Sequence, residues 1–220
     1  MTEQEGAGNR GFDWMELANS VSTFVLLNML WLFCSLLIIT MPAATAALFA
    51  TVAPWGRGQS PSQPLANFFV AMKKYGVKAT AVGFINLLVG SLVTFNFLVL
   101  RQIRTDQILP VMTLIVTLIF TVLLLLSNVY VWPLLVTVDP PLKVLLKNAV
   151  KLALVHPFWG ILVLAAGLVP LLVSLLLPQI FLIIVTFAAT VLIIYAGAWR
   201  VIRRYLDETE LQNLRGFQNL

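Results

Sequence analysis

A chain of 220 residues with one cysteine, one histidine and nine carboxylates holds few of the groups that most protein chemistry uses. Cys34 has no partner for an intrachain disulfide, so cysteine content indicates no redox compartment; its apolar neighbours make it a small core residue. One imidazole, His156, cannot build a metal site alone, and neither His-Glu-x-x-His nor paired-cysteine spacing occurs. There is no Gly-x-x-x-x-Gly-Lys loop to cradle a triphosphate. The expectation is no catalytic residues, no metal and no cofactor. Serines and threonines are present, but a hydroxyl without a nearby base is a poor nucleophile.

Charge is scarcest of all, at 10% of residues against 60% hydrophobic, and mean hydropathy is +0.95. No soluble domain keeps that balance, so lipid is the expected solvent. Four stretches carry no charge: Leu17 to Gly56, Ala79 to Leu100, Gln107 to Val138, and Pro157 to Trp199. A helix rises about 1.5 Å per residue, so roughly 20 residues cross the hydrocarbon layer. Strands at that depth would need a closed barrel, and period-2 alternation is absent. The expected fold is therefore all-α: a single polytopic helical bundle over residues 1–220. Its membrane segments fall at about 20–40, 42–55, 79–100, 111–136, 157–176 and 179–199, followed by a tail at 200–220.

The segment 42–55 is the odd one. Pro42 breaks the first helix, because proline lacks an N–H and clashes with the preceding turn. The following stretch is too short for an easy crossing, so it is either a re-entrant piece or a thinned crossing. The acidic start and long first apolar run oppose a cleavable signal, although Ala43-Ala44-Thr45-Ala46 imitates a cleavage site.

Basic residues set the orientation, since cytoplasmic loops retain Lys and Arg. With both termini inside, 12 of the 14 lie inside; with the N-terminus outside, 11 do. Either count puts the C-terminus in the cytoplasm. A weak repeat favours six segments and a cytoplasmic N-terminus: Pro64-Leu65, Lys74, Gly83 and Gly90 recur 77 residues later as Pro141-Leu142, Lys151, Gly160 and Gly167. The implied unit is an interfacial helix followed by a helical hairpin.

Around 141–155, Leu142, Leu145, Leu146, Ala149, Leu152 and Ala153 form one stripe and Lys143, Lys147 and Lys151 another. Like charges four residues apart repel unless anionic phosphates neutralise them, which places this helix on an anionic inner leaflet. Lys73 and Lys74, with Lys78, mark a similar segment. Arg203 and Arg204 open a tail expected to continue the last helix toward Asp207 and Glu208. These basic residues are candidate lipid-interface or partner contacts. Trp14, Trp55, Trp132, Trp159 and Trp199 fall near the same boundary, as interfacial anchors do.

No ionisable group lies inside the membrane segments, which disfavours coupled transport. Asn28, Thr45, Asn86, Asn96 and Asn128 are the candidate interhelical polar contacts. They are either bundle glue or the lining of a passage for an uncharged solute.

Asn28-Met-Leu-Trp-Leu-Phe, then Met41-Pro-Ala-Ala-Thr-Ala-Ala-Leu-Phe49, then Asn67-Phe-Phe through Lys74 resemble the YesL-like family of bacterial membrane proteins. This chain has Ala43-Ala44 where a Gly-Pro is common before the threonine. The resemblance implies a bacterial plasma membrane and an accessory role beside carbohydrate-uptake ABC transporter subunits; the family offers no catalytic residues to carry over. The leading expectation is a non-enzymatic accessory membrane protein, with no nucleic-acid partner and the oligomeric state open. The alternative is a small transporter or channel for an uncharged solute.

Overall fold

The structure, a computed structural model, describes residues 14–59, 63–102, 108–176 and 185–206, the side chains of 14–18 excepted. Among these residues there are seven helices and no strand: α1 (Trp14–Ser35), α2 (Met41–Gly56), α3 (Pro64–Leu100), α4 (Ile108–Thr137), α5 (Leu142–Val155), α6 (Pro157–Leu176) and α7 (Phe187–Ile202). Three of them, α3, α4 and α6, are long and apolar enough to cross a membrane; α1 from Asn19 and α7 are apolar but shorter.

The short segment turns out to be the centre of the bundle. Six alanines let neighbouring helices approach α2 closely, and Ala44, Ala46, Ala47, Leu48 and Val52 are fully buried. Helix α1 lies antiparallel to it, with Phe24 stacked on Trp55 at a centroid distance of 4.6 Å. Helix α7 covers another side, and Gly56 is small because a Cβ there would overlap the Tyr195 ring. Helix α3 covers a third, where Gly83 leaves room for the Pro42 ring.

Helices α3 and α4 form a long antiparallel hairpin whose register is fixed by Tyr75 against Val136, Asn86 against Asn128 and Asn96 against Thr117. At about 1.5 Å per residue they are roughly 55 and 45 Å long. Their outer faces are almost wholly exposed apolar side chains such as Phe84, Leu92, Ile115 and Phe120, as lipid contact requires.

Three expected boundaries are corrected. The first span ends at Ser35, not Thr40, because the chain must reverse before Pro42 starts α2. In the turn, Leu36, Ile38 and Ile39 are 76–82% exposed. Its backbone is still paired: Leu36 N–H to Phe33 O, Thr40 N–H to Leu37 O and Met41 N–H to Ile38 O, with the Thr40 hydroxyl on the Cys34 and Leu37 carbonyls.

Second, the basic stretch before residue 79 is not a separate interfacial helix, for α3 runs unbroken from Pro64 to Leu100. The later stretch does break, at His156, whose φ of −124° and ψ of 54° are imposed by the following Pro157. Thr80 stands where the 77-residue spacing would put that proline, so α3 has nothing to stop it. Third, the last helix ends at Ile202, and Arg203 and Arg204 lie in the turn after it. Residues 179–184 of the last expected span, Arg104, and the tail from Asp207 lie outside the described residues.

Candidate functional site

The five polar residues expected inside the bundle stand at four separate interhelical contacts. Asn28 Oδ1 accepts from the backbone N–H groups of Phe187 and Ala188 at 3.0 and 3.1 Å. It serves as an acceptor, from another helix, for the donors that the first turn of α7 leaves free. Trp31 Nε1 donates to Thr45 Oγ1 at 3.1 Å, tying α1 to α2. Asn86 and Asn128 exchange amide hydrogen bonds at 2.7 and 3.1 Å, and Asn96 Nδ2 donates to Thr117 Oγ1 at 3.0 Å. Asn86 and Asn128 bond to each other, whereas Asn28 Oδ1, Thr45 Oγ1 and Asn96 Nδ2 meet groups outside the set.

Three of the four repeat glycines sit at close contacts, Gly83 on Pro42, Gly160 on Leu126 and Gly167 on Ile194, whereas a Cβ at Gly90 would meet open space. The tryptophans expected as anchors point partly inward. Trp132 stacks with Phe49, Trp199 with Tyr195, and Trp159 Nε1 donates to Gly197 O at 2.9 Å.

At one end of the bundle polar groups do converge. Arg57, at the C-terminus of α2, donates through Nη1 to the Tyr195 hydroxyl at 3.0 Å, and that hydroxyl lies 3.1 Å from Thr137 Oγ1. The guanidinium carbon is 5.9 and 6.0 Å from the Tyr195 and Trp199 ring centroids, within cation–π range. Arg57 Nε and Gln59 Oε1 are buried without a hydrogen-bond partner among the described residues.

Beside this cluster, Lys78 Nζ lies 2.6 Å from Asp139 Oδ1 and also donates to the Asp139 and Pro140 carbonyls at 3.1 and 3.2 Å. Asp139 has a φ of +51°, a left-handed conformation that aspartate tolerates better than most residues. Lys74 reaches the other carboxylate oxygen at 4.0 Å. Its neighbour Tyr75 and, after it, Asp139 hold the Lys74 ammonium above the ordinary lysine pKa.

The remaining basic candidates, Lys73, Lys143, Lys147, Lys151, Arg203 and Arg204, are exposed. His156 Nε2 lies 2.9 Å from the Tyr205 hydroxyl, bridging the α5–α6 junction to the end of α7. A cleft of about 230 Å³ opens between α4, α5 and the end of α7, with Lys151, Asn148 and Tyr205 among its lining.

Reading the sequence misses Arg57, Tyr195 and Asp139. For Asp139 a signal exists, since it is the sole carboxylate between residues 107 and 206 and precedes two prolines. Gly6, Gly8 and Gly11 also have Gly-x-Gly-x-x-Gly spacing; they lie outside the described residues, and the spacing alone is weak evidence. Among the described residues no group of three His, Cys, Asp or Glu could hold a metal ion.

Helices of this length and apolarity, with polar side chains paired across them and a basic end, define a chain compatible with a membrane. Residues 24–97, from within α1 through most of α3, match the model of a family described as a protein of unknown function, DUF624. No curated protein and no solved structure matches the chain.

Proposed function

We propose that this chain is a non-enzymatic, multi-pass protein of a bacterial plasma membrane that docks to a transport complex through its basic end. The observation that carries the reading is the gathering of exposed cationic side chains at that end: Lys143, Lys147 and Lys151 on α5, with Arg203 and Arg204 after α7, none of them in an ion pair among the described residues. Cytoplasmic placement of this end follows the positive-inside rule. The carbohydrate-uptake ABC setting comes from the YesL-like resemblance alone. The interhelical pairing of Asn28, Thr45, Asn86, Asn96 and Asn128 supports a scaffold over a polar passage.

The α1–α2 pair is, in this reading, a re-entrant hairpin and both termini face the cytoplasm. Helix α2 starts against Gly83, only five residues along α3 from Lys78, or about 7 Å at the helical rise. From Lys78 to Leu100 the same rise gives about 33 Å, the thickness of the hydrocarbon core. The apolar turn at Leu36–Ile39 therefore lies inside the hydrocarbon layer, well short of its far side, where its internally paired backbone is tolerable. Five long spans are then reduced to four crossings, by α3, α4, α6 and the last segment.

Affinity purification of the tagged chain from its native membrane in mild detergent, followed by mass spectrometry, tests the function. Co-purification of ABC permease or solute-binding subunits is expected. Isolation of the chain alone, together with solute flux in liposomes containing it, would replace this reading with that of an independent transporter.

A further inference from the structure

We propose that the cleft between α4, α5 and the end of α7 binds one anionic glycerophospholipid as a defined ligand. The inference rests on the membrane placement given above and is independent of the transport setting. At about 230 Å³ the cleft is smaller than the ~300–1,000 Å³ of a typical small-molecule site, so it accepts part of a molecule whose remainder lies outside. A lipid whose chains stay in the bilayer fits that description. Leu134, Leu152 and Ile202 supply the apolar wall, and Lys151, Asn148 and Tyr205 supply polar groups.

Charge selects the anion. Lys151 continues the row of Lys143 and Lys147, four residues apart, whose mutual repulsion needs a counter-ion. Among the side chains described, the single carboxylate is Asp139, already held by Lys78 and Lys74. Pro140 ties the cleft to that same turn, so the cleft opens at the level of the head groups.

The Tyr130 hydroxyl is buried without a hydrogen-bond partner among the described residues. It stands behind the cleft's apolar wall, one helical turn from Leu134, with its ring and hydroxyl toward Gly160. The His156–Tyr205 hydrogen bond holds the outer wall in place.

The test is native mass spectrometry of the full chain in mild detergent with phosphatidylglycerol or phosphatidylcholine added. One phosphatidylglycerol is expected to remain bound at collision energies that strip phosphatidylcholine. Lys151→Ala should lower its occupancy about fivefold, the effect of one lysine near an anionic surface, while Lys143→Ala, outside the cleft, should change it less than about twofold. Val155→Trp, which fills the cleft, should abolish it; if that variant fails to fold, the exposed Lys151→Ala decides. Equal retention of the two lipids, equal losses from the two lysine variants, or displacement of the lipid by inorganic phosphate would each overturn the proposal. A chain that holds its lipid but brings down no transport subunit would count only against the docking function.

Discussion

The carboxamide oxygen of Asn28, midway along α1, lies 3.0 Å from the amide nitrogen of Phe187 at the start of α7. A second amide, Ala188 N–H, shares it at 3.1 Å. In a soluble protein water would satisfy the first turn of a helix; here the acceptor comes from a residue 159 positions away.

Replacing Asn28 with Leu should therefore destabilise the bundle by about 1–3 kcal/mol, the cost of leaving buried donors unmet. Asn28→Asp, which keeps the acceptor and adds charge favourable to a helix N-terminus, should lose less. Thermal unfolding of the purified chain in detergent reads both; equal losses would mean the oxygen is not what matters.

The Asn86–Asn128 pair should behave as a coupled unit. Each single change to Leu leaves one amide facing apolar side chains, whereas the double change leaves none. A double-mutant cycle should give a coupling of about 0.5–2 kcal/mol, as for other hydrogen bonds between membrane helices. Additive losses would show that the amides do not depend on each other.

Glycines should divide by what a methyl group would meet. Gly83→Ala drives a Cβ into the Pro42 ring, which cannot rotate away, and should cost about 1–3 kcal/mol. Gly90→Ala meets open space and should be neutral or stabilising by up to about 1 kcal/mol, because alanine is the better helix former. Melting temperatures of the two variants, measured in the same detergent, should move in different directions or by clearly different amounts.

Breaking the Lys78–Asp139 clamp should loosen the α4–α5 turn. Lys78→Met removes three hydrogen bonds at once, and since the pair is partly exposed the loss should be about 1–3 kcal/mol. Hydrogen exchange should rise at Leu145 N–H and its neighbours in the first turn of α5; unchanged protection there would argue that Pro140 and Pro141 fix the turn unaided.

Cysteine labelling checks the re-entrant hairpin. In a Cys34→Ala background, a cysteine at Ile38 should resist membrane-impermeant maleimides from both sides, while one at Gln59 should react only from the cytoplasmic side. Labelling of the Ile38 variant from outside would mean that α2 crosses.

Helix positions were legible because a charge-free run of about 20 residues has only one economical backbone in lipid. Pro157–Leu176 is helical throughout its described length, and 42–55 falls within one residue of α2. The central position of α2 was not legible: in a segment apolar on all sides, periodicity does not distinguish a protein-facing side from a lipid-facing one. The Arg57–Tyr195 contact spans 138 positions, and no local pattern marks such a partner. Asn86 and Asn128 were visible as polar residues in apolar surroundings, but their pairing depends on the register of α3 against α4.

The difference between α3 and the α5–α6 pair has a mechanical consequence. Helix α3 joins Lys73 and Lys74 to Leu100 through one uninterrupted ladder of backbone hydrogen bonds, so a displacement applied at its charged end swings the whole rod. At His156 the ladder is interrupted before Pro157 begins the next helix, and the same displacement applied at Lys151 is taken up in that joint. One basic segment is continuous with its long helix, and the other is jointed to the helix that follows it.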